Sequence, residues 1–585
     1  MNILKTIKQK NFLVILSKDQ VLIALLVFVL QFLFSLYRFF PTLRDIGLWD
    51  ESVYINTGRL FAIGTLTSFE RNPLIGMLYA LTYLPFRNSP YWLMQSDALG
   101  RAILFGLMWW SSYLIARRFS RFFNPLIFVS LLFCATILTD ILDNPSDALF
   151  AAMSGLAFWK LITFYETRQI KEIGLASFFI GLAALSRNDG LVLFILFVLV
   201  SLMFLRSTND KWRYLLATTL PFLVLIGGYL ALYRLVTGSF VVGTVERSYV
   251  AFQQGQAQVY QQDPSCQQSD INCAMLDAQS LYGTPQENNN SILKAIGHNP
   301  KAFLERVVNT FKILPAMIYS AYNKREAYLL FLLGIMGIYE LIRQKQFALM
   351  GILLVWIVYL GVYFFTFFRI GYVQTPYFVL FTLAAIGIHS LIFSLGDRNY
   401  RLTWTAILLV LTLVGIFRSL SYLYFDTIIL LGIIWIGHLT LWQSPQSSSA
   451  AISLIFLAGG LIIRGSYNPP QIQTWGIIPN EQAVVALQQH LPENSLVASG
   501  APGAVYAARM KYFGLTGIDQ STKSVDELHA KLLDLGVKAI YVDSTLTGPG
   551  QDQYAWQLIM GGIGKEYEQI YSGGDGSILV LLIKP

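Results

Sequence analysis

Apolar runs long enough to cross a lipid bilayer recur along this chain, and short clusters of lysine and arginine stand between them. No other feature narrows the fold as far. A helix needs about 20 apolar residues to span the hydrocarbon core, and only structures that satisfy every backbone polar group internally persist there. The runs are Val21–Phe40, Ala98–Ala116, Pro125–Leu138, Ala148–Tyr165, Ile173–Leu185, Leu191–Leu205, Tyr214–Val236, Tyr328–Ile342, Phe347–Phe368, Thr375–Ser394, Leu402–Tyr422, Thr427–Trp442 and Ala450–Ile463. They predict an α-helical polytopic membrane protein of about 13 transmembrane helices.

Composition agrees with the pattern. Hydrophobic residues make up 55% of the 585, charged residues only 13%, and the mean hydropathy is +0.53. A soluble core cannot hide that much apolar surface. The net charge of +8 would suggest nucleic acid in a soluble chain. Here the cations fall at span ends, as the positive-inside rule requires, so the expected partner is the lipid bilayer and not nucleic acid. Lys5, Lys8 and Lys10 precede a first run that no small-residue cleavage site follows, which predicts an uncleaved span with a cytoplasmic N-terminus. The alternation continues through Arg117 and Arg118, Arg168 and Lys171, Arg206 and Arg213, Arg343 and Lys345, and Arg398 and Arg401. An odd span count then sends the C-terminus outside.

Acidic residues gather on the opposite side. Pro41 to Thr57 carries Asp45, Asp50 and Glu51 directly after the first run. Ionisable groups beside hydrocarbon are costly enough to mark function, and a hydroxyl acceptor in a transfer reaction needs a carboxylate base. The same acids also suit the start of an amphipathic helix over Ser52–Ile63. A second group, Asp140, Asp143 and Asp147, surrounds the Pro145 turn. Asp143 and Asp147 fit three roles: binding a divalent metal ion, orienting a sugar, or capping the next helix. Arg187-Asn188-Asp189-Gly190 forms a third outer turn, in which Arg187 and Asp189 can pair locally. Arg71-Asn72-Pro73-Leu74 opens a short apolar run, and Pro300–Ser320 has the pattern of a helix lying on the membrane surface.

The long outer stretch Thr237–Arg325 holds Cys266 and Cys273, the two cysteines close in sequence. In an oxidising compartment such a pair reads as a disulfide, whereas Cys134 falls within a span. Beyond Arg464 the composition becomes that of a soluble domain. Helix-like Glu481–His490 and Ser524–Leu535 alternate with strand-like Ser495–Ser499, Lys538–Asp543, Tyr567–Tyr571 and Ser577–Ile583. The expected organisation is therefore a transmembrane domain over 1–464, with outer loops at 41–97 and 237–325, and a small extracytoplasmic α/β domain over 465–585.

The order of these features resembles the GT-C glycosyltransferases, and within them the protein O-mannosyltransferase and lipid A aminoarabinose transferase group. The resemblance is carried by Asp50-Glu51 in the first outer loop, the amphipathic helix after it, the Arg71-Asn72-Pro73-Leu74 run, the second acidic group, and Arg369 with Tyr372 and Pro376 opening a late span. That group has His-Pro-Pro or Lys-Pro-Pro where this chain has Arg71-Asn72-Pro73. The Trp-Trp-Asp signature of oligosaccharyltransferases is absent, which argues against transfer of whole glycans to asparagine. The resemblance implies a multi-pass enzyme of the cell inner (plasma) membrane that moves a sugar from a polyprenyl-phosphate donor to a hydroxyl of a lipid, glycan or protein acceptor. Asp50 would be the general base, Glu51 an orienting group and Asp45 the rival base. Arg369 would meet the lipid phosphate, with Tyr372, Asp143, Asp147, Arg71 and Arg187 as further substrate contacts. Other classes remain at this stage: a transporter or lipid flippase, a polysaccharide polymerase or ligase, and a non-catalytic scaffold. Against the transporter, the ionisable residues cluster at outer span ends and no half of the sequence repeats the other.

A Cys266–Cys273 disulfide has a direct consequence. Thiol labelling of the denatured, unreduced protein should modify Cys134 alone, and labelling of all three cysteines would refute the bond.

Overall fold

The computed structural model describes parts of 22–36, then 45–47, 50–65, 71–119, 141–142, 144–205, 210–238, 245–259, 278–322, 325–366, 370–394, 477–515, 522–547, 553–573 and 576–585. Its helices follow the apolar runs closely, and the chain divides into two compact units.

The first unit contains 1–35, 101–242 and 300–469. Among its described residues, the helix Pro145–Thr167 begins with Asn144, whose side chain accepts from the Ser146 N–H, and with Pro145 in the first turn. Asn144 is thus the cap, and Asp147 lies inside the first turn, where its charge suits the helix dipole. The helix Ile170–Ser186 packs against Pro145–Thr167 on one side and against Lys211–Thr237 on another, and Arg325–Arg343 packs against Tyr377–Ser394. Small residues let these backbones approach, as in membrane bundles generally. A Cβ on Gly337 would lie 2.0 Å from the Leu383 carbonyl oxygen, and one on Gly155 would lie 2.8 Å from the Ser111 hydroxyl. Phe158, Trp356 and Phe378 interlock within the bundle, with ring centroids 5.1–5.7 Å apart.

Four described helical segments are long and apolar enough to cross a membrane: Trp92–Ile115, Pro145–Thr167, Lys211–Thr237 and Phe347–Phe364. Pro73–Phe86, Asp189–Leu202 and Tyr377–Gly387 are apolar but shorter. The expected count of about 13 is therefore not reproduced. The runs Pro125–Leu138, Leu402–Tyr422, Thr427–Trp442 and Ala450–Ile463 lie outside the described residues.

The second unit gathers 36–100, 243–299 and 470–585, so the expected loop 41–97 and only the 243–299 part of the expected loop 237–325 fall with the C-terminal stretch. Its sheet has the order β2-β1-β3-β5-β4, made of β1 (Leu496–Ser499), β2 (Lys511–Gly514), β3 (Ala539–Val542), β4 (Tyr567–Gly573) and β5 (Ile578–Ile583). β1 runs parallel to both β2 and β3, with Val497 opposite Tyr512 and Ala539, while β5 pairs antiparallel with β3 and β4. Leu528, Leu532, Ile540, Val542, Ile559 and Leu581 form its core. β2 and the helices Gly503–Ala507 and Gln553–Gly562 are absent from the sequence reading. In the 245–299 stretch, a polar core is closed by Tyr249 donating to the Gly283 carbonyl (2.8 Å) and Tyr282 donating to the Gln256 amide oxygen (2.9 Å).

Helix Asp50–Ala62 packs on helix Pro73–Tyr83 through glycine. A Cβ on Gly58 would lie 2.4 Å from the Tyr79 carbonyl carbon, and one on Gly76 would meet Phe61 and Thr57 at 2.9 Å. Tyr79 in turn covers Gly100 and donates to the buried Asp97 carboxylate at 3.3 Å. Gly58→Ala should force the two helices apart at a cost on the order of 1–3 kcal/mol, the usual range for overpacking. A lower thermal stability and faster hydrogen exchange within 50–62 and 73–83 would register it. Gly227→Ala, which meets open space, should change neither.

Candidate functional site

In each unit, one cluster of charge built around an arginine includes residues that the sequence marks as candidates.

In the second unit, Asp50 opens its helix with Glu51 beside it, so both carboxylates sit at the positive end of the helix dipole. Glu51 reaches back to accept the Gly47 N–H at 2.9 Å, closing the turn before the helix. Asp50 is different, because its partner is a side chain from the neighbouring helix entry. Arg71 donates from Nη2 to Asp50 Oδ1 at 2.5 Å, and its guanidinium carbon lies 5.5 Å from the Tyr54 ring centroid. Tyr54 follows Asp50 by four residues, which puts both on one helix face and lets one guanidinium meet both. Pro73 at the first position of the next helix holds Arg71 two residues upstream of a rigid start. The second terminal nitrogen of Arg71, Nη1, is buried and has no hydrogen-bond partner among the described residues. A buried guanidinium N–H without an acceptor is costly, so this atom marks a place for an anion or another acceptor. The Asp50 side chain is 36% exposed, so a substrate can reach it.

Asp45, the rival base, has a different environment. It is buried, and its Oδ1 accepts three backbone N–H groups: Ile46 at 2.8 Å, Ile477 at 2.7 Å and Ile478 at 2.9 Å. At the other end of the Asp50–Ala62 helix, Arg59 is 1% exposed; its Nε donates to Asn56 at 3.0 Å and its Nη2 to Asn494 at 3.2 Å. Burial pushes the Arg59 guanidinium below its usual range, opposed by the nearby Tyr83 and Glu493. Sequence reasoning missed Arg59, since a basic residue in a last helical turn normally needs no further explanation.

In the first unit, Arg187 is clasped between two carboxylates. It donates to Asp147 and, through Nε, to Asp189 Oδ2 at 2.8 Å. The Tyr363 hydroxyl donates to the same Asp189 oxygen at 2.8 Å. Tyr372 lies flat under Arg187, 4.4 Å from guanidinium carbon to ring centroid, and stacks on Tyr363 at 4.5 Å. The turn that presents Arg187 depends on glycine, because a Cβ on Gly190 would lie 2.4 Å from the Ala184 backbone. The local Arg187–Asp189 pair expected from sequence is present, but Asp147, 40 residues away, completes it. Arg306, also absent from the sequence reading, is buried and donates to the Thr366 carbonyl. That contact fixes the chain immediately before 367–369. Arg369, Asp143, Cys134, Cys266 and Cys273 lie outside the described residues. Among the described residues no group of three or more His, Cys, Asp or Glu side chains is gathered as a metal site.

No protein-family model matches the sequence, and no curated protein matches it either. Solved structures do. ArnT from Cupriavidus metallidurans bound to undecaprenyl phosphate aligns with a TM-score of 0.51 at 14% identity, covering 97% of this chain and 98% of that one. The same protein in the apo state aligns at 0.50 and 14% identity, with 96% and 97% covered. The archaeal oligosaccharyltransferase AglB from Archaeoglobus fulgidus, in complex with an inhibitory peptide and a dolichol-phosphate, aligns at 0.45 and 14% identity over 97% and 75%. The chain shares the fold of these ArnT structures, in keeping with the resemblance read from the sequence.

Removing Arg187 would take a cation away from the buried Asp147 and the half-buried Asp189. Arg187→Ala should therefore destabilise the protein by about 3–5 kcal/mol, the range for breaking a buried pair. Arg187→Lys should recover only part of this, because a single ammonium cannot bridge two carboxylates as a planar fork does. Thermal unfolding of the detergent-purified variants measures both.

Proposed function

We propose that this chain is an integral membrane glycosyltransferase that transfers a sugar from a polyprenyl-phosphate donor to a hydroxyl group at the outer face of the inner membrane. The observation that carries the proposal is the Asp50–Arg71 pair: an accessible carboxylate beside a guanidinium whose second nitrogen is buried and unmatched. These are the two charges the reaction needs, side by side. The GT-C fold shared with a protein solved bound to undecaprenyl phosphate supports the choice of donor.

The sugar arrives already activated, since a polyprenyl phosphate is a good leaving group. No nucleotide is needed. The acceptor oxygen attacks the anomeric carbon as its O–H proton passes to Asp50. The new C–O bond forms as the bond from the anomeric carbon to phosphate oxygen breaks, and that electron pair leaves with the polyprenyl phosphate. Arg71 stabilises the departing charge through a bidentate contact that lysine would not reproduce. Donor binding draws Arg71 toward the phosphate and away from Asp50, so the base becomes available when the donor is in place. Glu51 is assigned the holding of the turn before the base. Asp147, Arg187, Asp189 and Tyr372 act as a closed ionic cluster that sets the helix Ile370–Gln374 in position, with a Cβ on Gly371 only 3.2 Å from Asp147. The C-terminal domain lies on the periplasmic or extracellular side in this reading.

Two substitutions separate the roles. Arg71→Ala should weaken undecaprenyl phosphate binding by about 1.5–3 kcal/mol, the range for hydrogen bonds to charged groups. Asp50→Asn keeps the size of the side chain but removes the base, so binding should persist while single-turnover transfer falls by roughly a hundredfold to ten-thousandfold. Transfer by Asp50→Asn at the parental rate would remove Asp50 from the mechanism.

A further inference from the structure

The segment that carries Asp50 is held at both ends by the C-terminal domain. Ahead of the helix, Asp45 Oδ1 accepts the N–H groups of Ile477 and Ile478, residues more than 430 positions later in the chain. The separation from Asp50 to Arg59 is about 14 Å along a helix rising 1.5 Å per residue. There the Arg59 guanidinium meets Asn494 at 3.2 Å. Asn494 is itself fixed: its backbone is left-handed at φ 65°, and its N–H donates to the Arg509 carbonyl at 3.0 Å. Between these two points the helix Gly503–Ala507 packs directly against Asp50–Ala62.

The same domain also holds the chain that follows the Pro73–Tyr83 helix, whose entry carries Arg71. Arg509 Nη2 donates to the Arg87 carbonyl at 2.7 Å, and Trp92 Nε1 donates to the Ala507 carbonyl at 3.3 Å. The helices entered by Asp50 and Arg71 therefore rest on one support, residues 477–509, that is remote in sequence from both. A charged side chain such as Arg59 is seldom buried completely unless its hydrogen bonds fix something in place. Here the groups that it joins are the base-bearing helix and the sheet domain.

We infer that Asp45 and Arg59 are positioning residues through which the C-terminal domain aims Asp50 at the acceptor hydroxyl, so that the domain is part of the catalytic apparatus and not an appended module. This rests on the proposed role of Asp50. It reassigns Asp45 from rival base to anchor. An anchor needs only an acceptor oxygen, whereas a base needs a carboxylate, and the two roles predict opposite behaviour for one substitution.

Full-length variants Asp45→Ala, Asp45→Asn, Arg59→Met and Arg59→Lys test the inference, with Asp50→Asn alongside. Three quantities are measured on each: affinity for undecaprenyl phosphate, hydrogen exchange within 50–62, and transfer, read by mass spectrometry of envelope glycans in a deletion strain complemented to equal protein levels. Asp45→Ala and Arg59→Met should speed exchange in 50–62 and reduce transfer by up to about a hundredfold, the effect of a misplacement near 1 Å. Undecaprenyl phosphate affinity should stay within about threefold, because neither residue belongs to the anion site; loss of folding would remove binding and transfer together. Asp45→Asn, which keeps the accepting oxygen, should restore most of the transfer lost in Asp45→Ala, and Arg59→Lys should restore part. Asp45→Asn as inactive as Asp50→Asn would overturn the inference and make Asp45 the base. Parental transfer in Asp45→Ala and Arg59→Met would equally overturn it. If Asp50→Asn alone transfers at the parental rate, the base assignment fails. The exchange data then still report on the two anchors. Should Asp45→Ala not fold, the comparison of Arg59→Met with Arg59→Lys decides by the same criteria.

Discussion

A charge taken out of water is tolerated only when it is answered by opposite charge or by hydrogen bonds, and in this protein arginine supplies the answer for three carboxylates. Asp50 is met by Arg71, and Asp147 and Asp189 are both met by Arg187. Arginine suits this work because its planar fork offers several donors in fixed directions and keeps its charge in any surroundings. A lysine at either place would serve one carboxylate oxygen and leave the remainder of the cluster unanswered.

The two arginine clusters differ in how complete they are, and the difference separates structure from chemistry. Arg187 has two carboxylates and an aromatic face, and Asp189 has in addition the Tyr363 hydroxyl. Such a cluster is satisfied and rigid, and its contribution is to fix helix ends. Arg71 is the opposite case. One nitrogen is matched to Asp50, the other is buried without an acceptor among the described residues, and Asp50 is itself accessible. Incomplete satisfaction of this kind is retained where a ligand completes it.

Much of the scaffold was legible in the sequence because bilayer-length apolar runs and period-two strands leave strong local patterns. The amphipathic pattern over Pro300–Ser320 appears as the helix Pro300–Tyr322, and the strand-like Lys538–Asp543 appears as β3. β2 was not legible: it is four residues long, lies at the sheet edge, and buries none of its side chains fully, so it has no alternation to read. The candidate site was legible by residue type but not by partnership. Asp50 and Arg71 stand out as ionisable residues in outer loops, yet nothing local says that they meet. Asp45 looked like Asp50 because both are acids in one short stretch. What distinguishes them is a pair of backbone N–H groups from Ile477 and Ile478, and a contact so distant in sequence leaves no local trace.

That distance also explains how the second unit is put together. A short helix alone is marginal in water. The Asp50–Ala62 helix obtains its rigidity elsewhere, from Pro73–Tyr83 through the Gly58 contact and from the C-terminal sheet domain through Asp45, Arg59 and the Gly503–Ala507 helix. Catalytic groups are effective only when their own supports are rigid, and a loop gains that rigidity by docking onto a packed domain. The chain thus holds the Asp50–Ala62 helix on residues remote in sequence, and the stretch from Ile477 to Arg509 supplies the order that a short helix cannot supply alone.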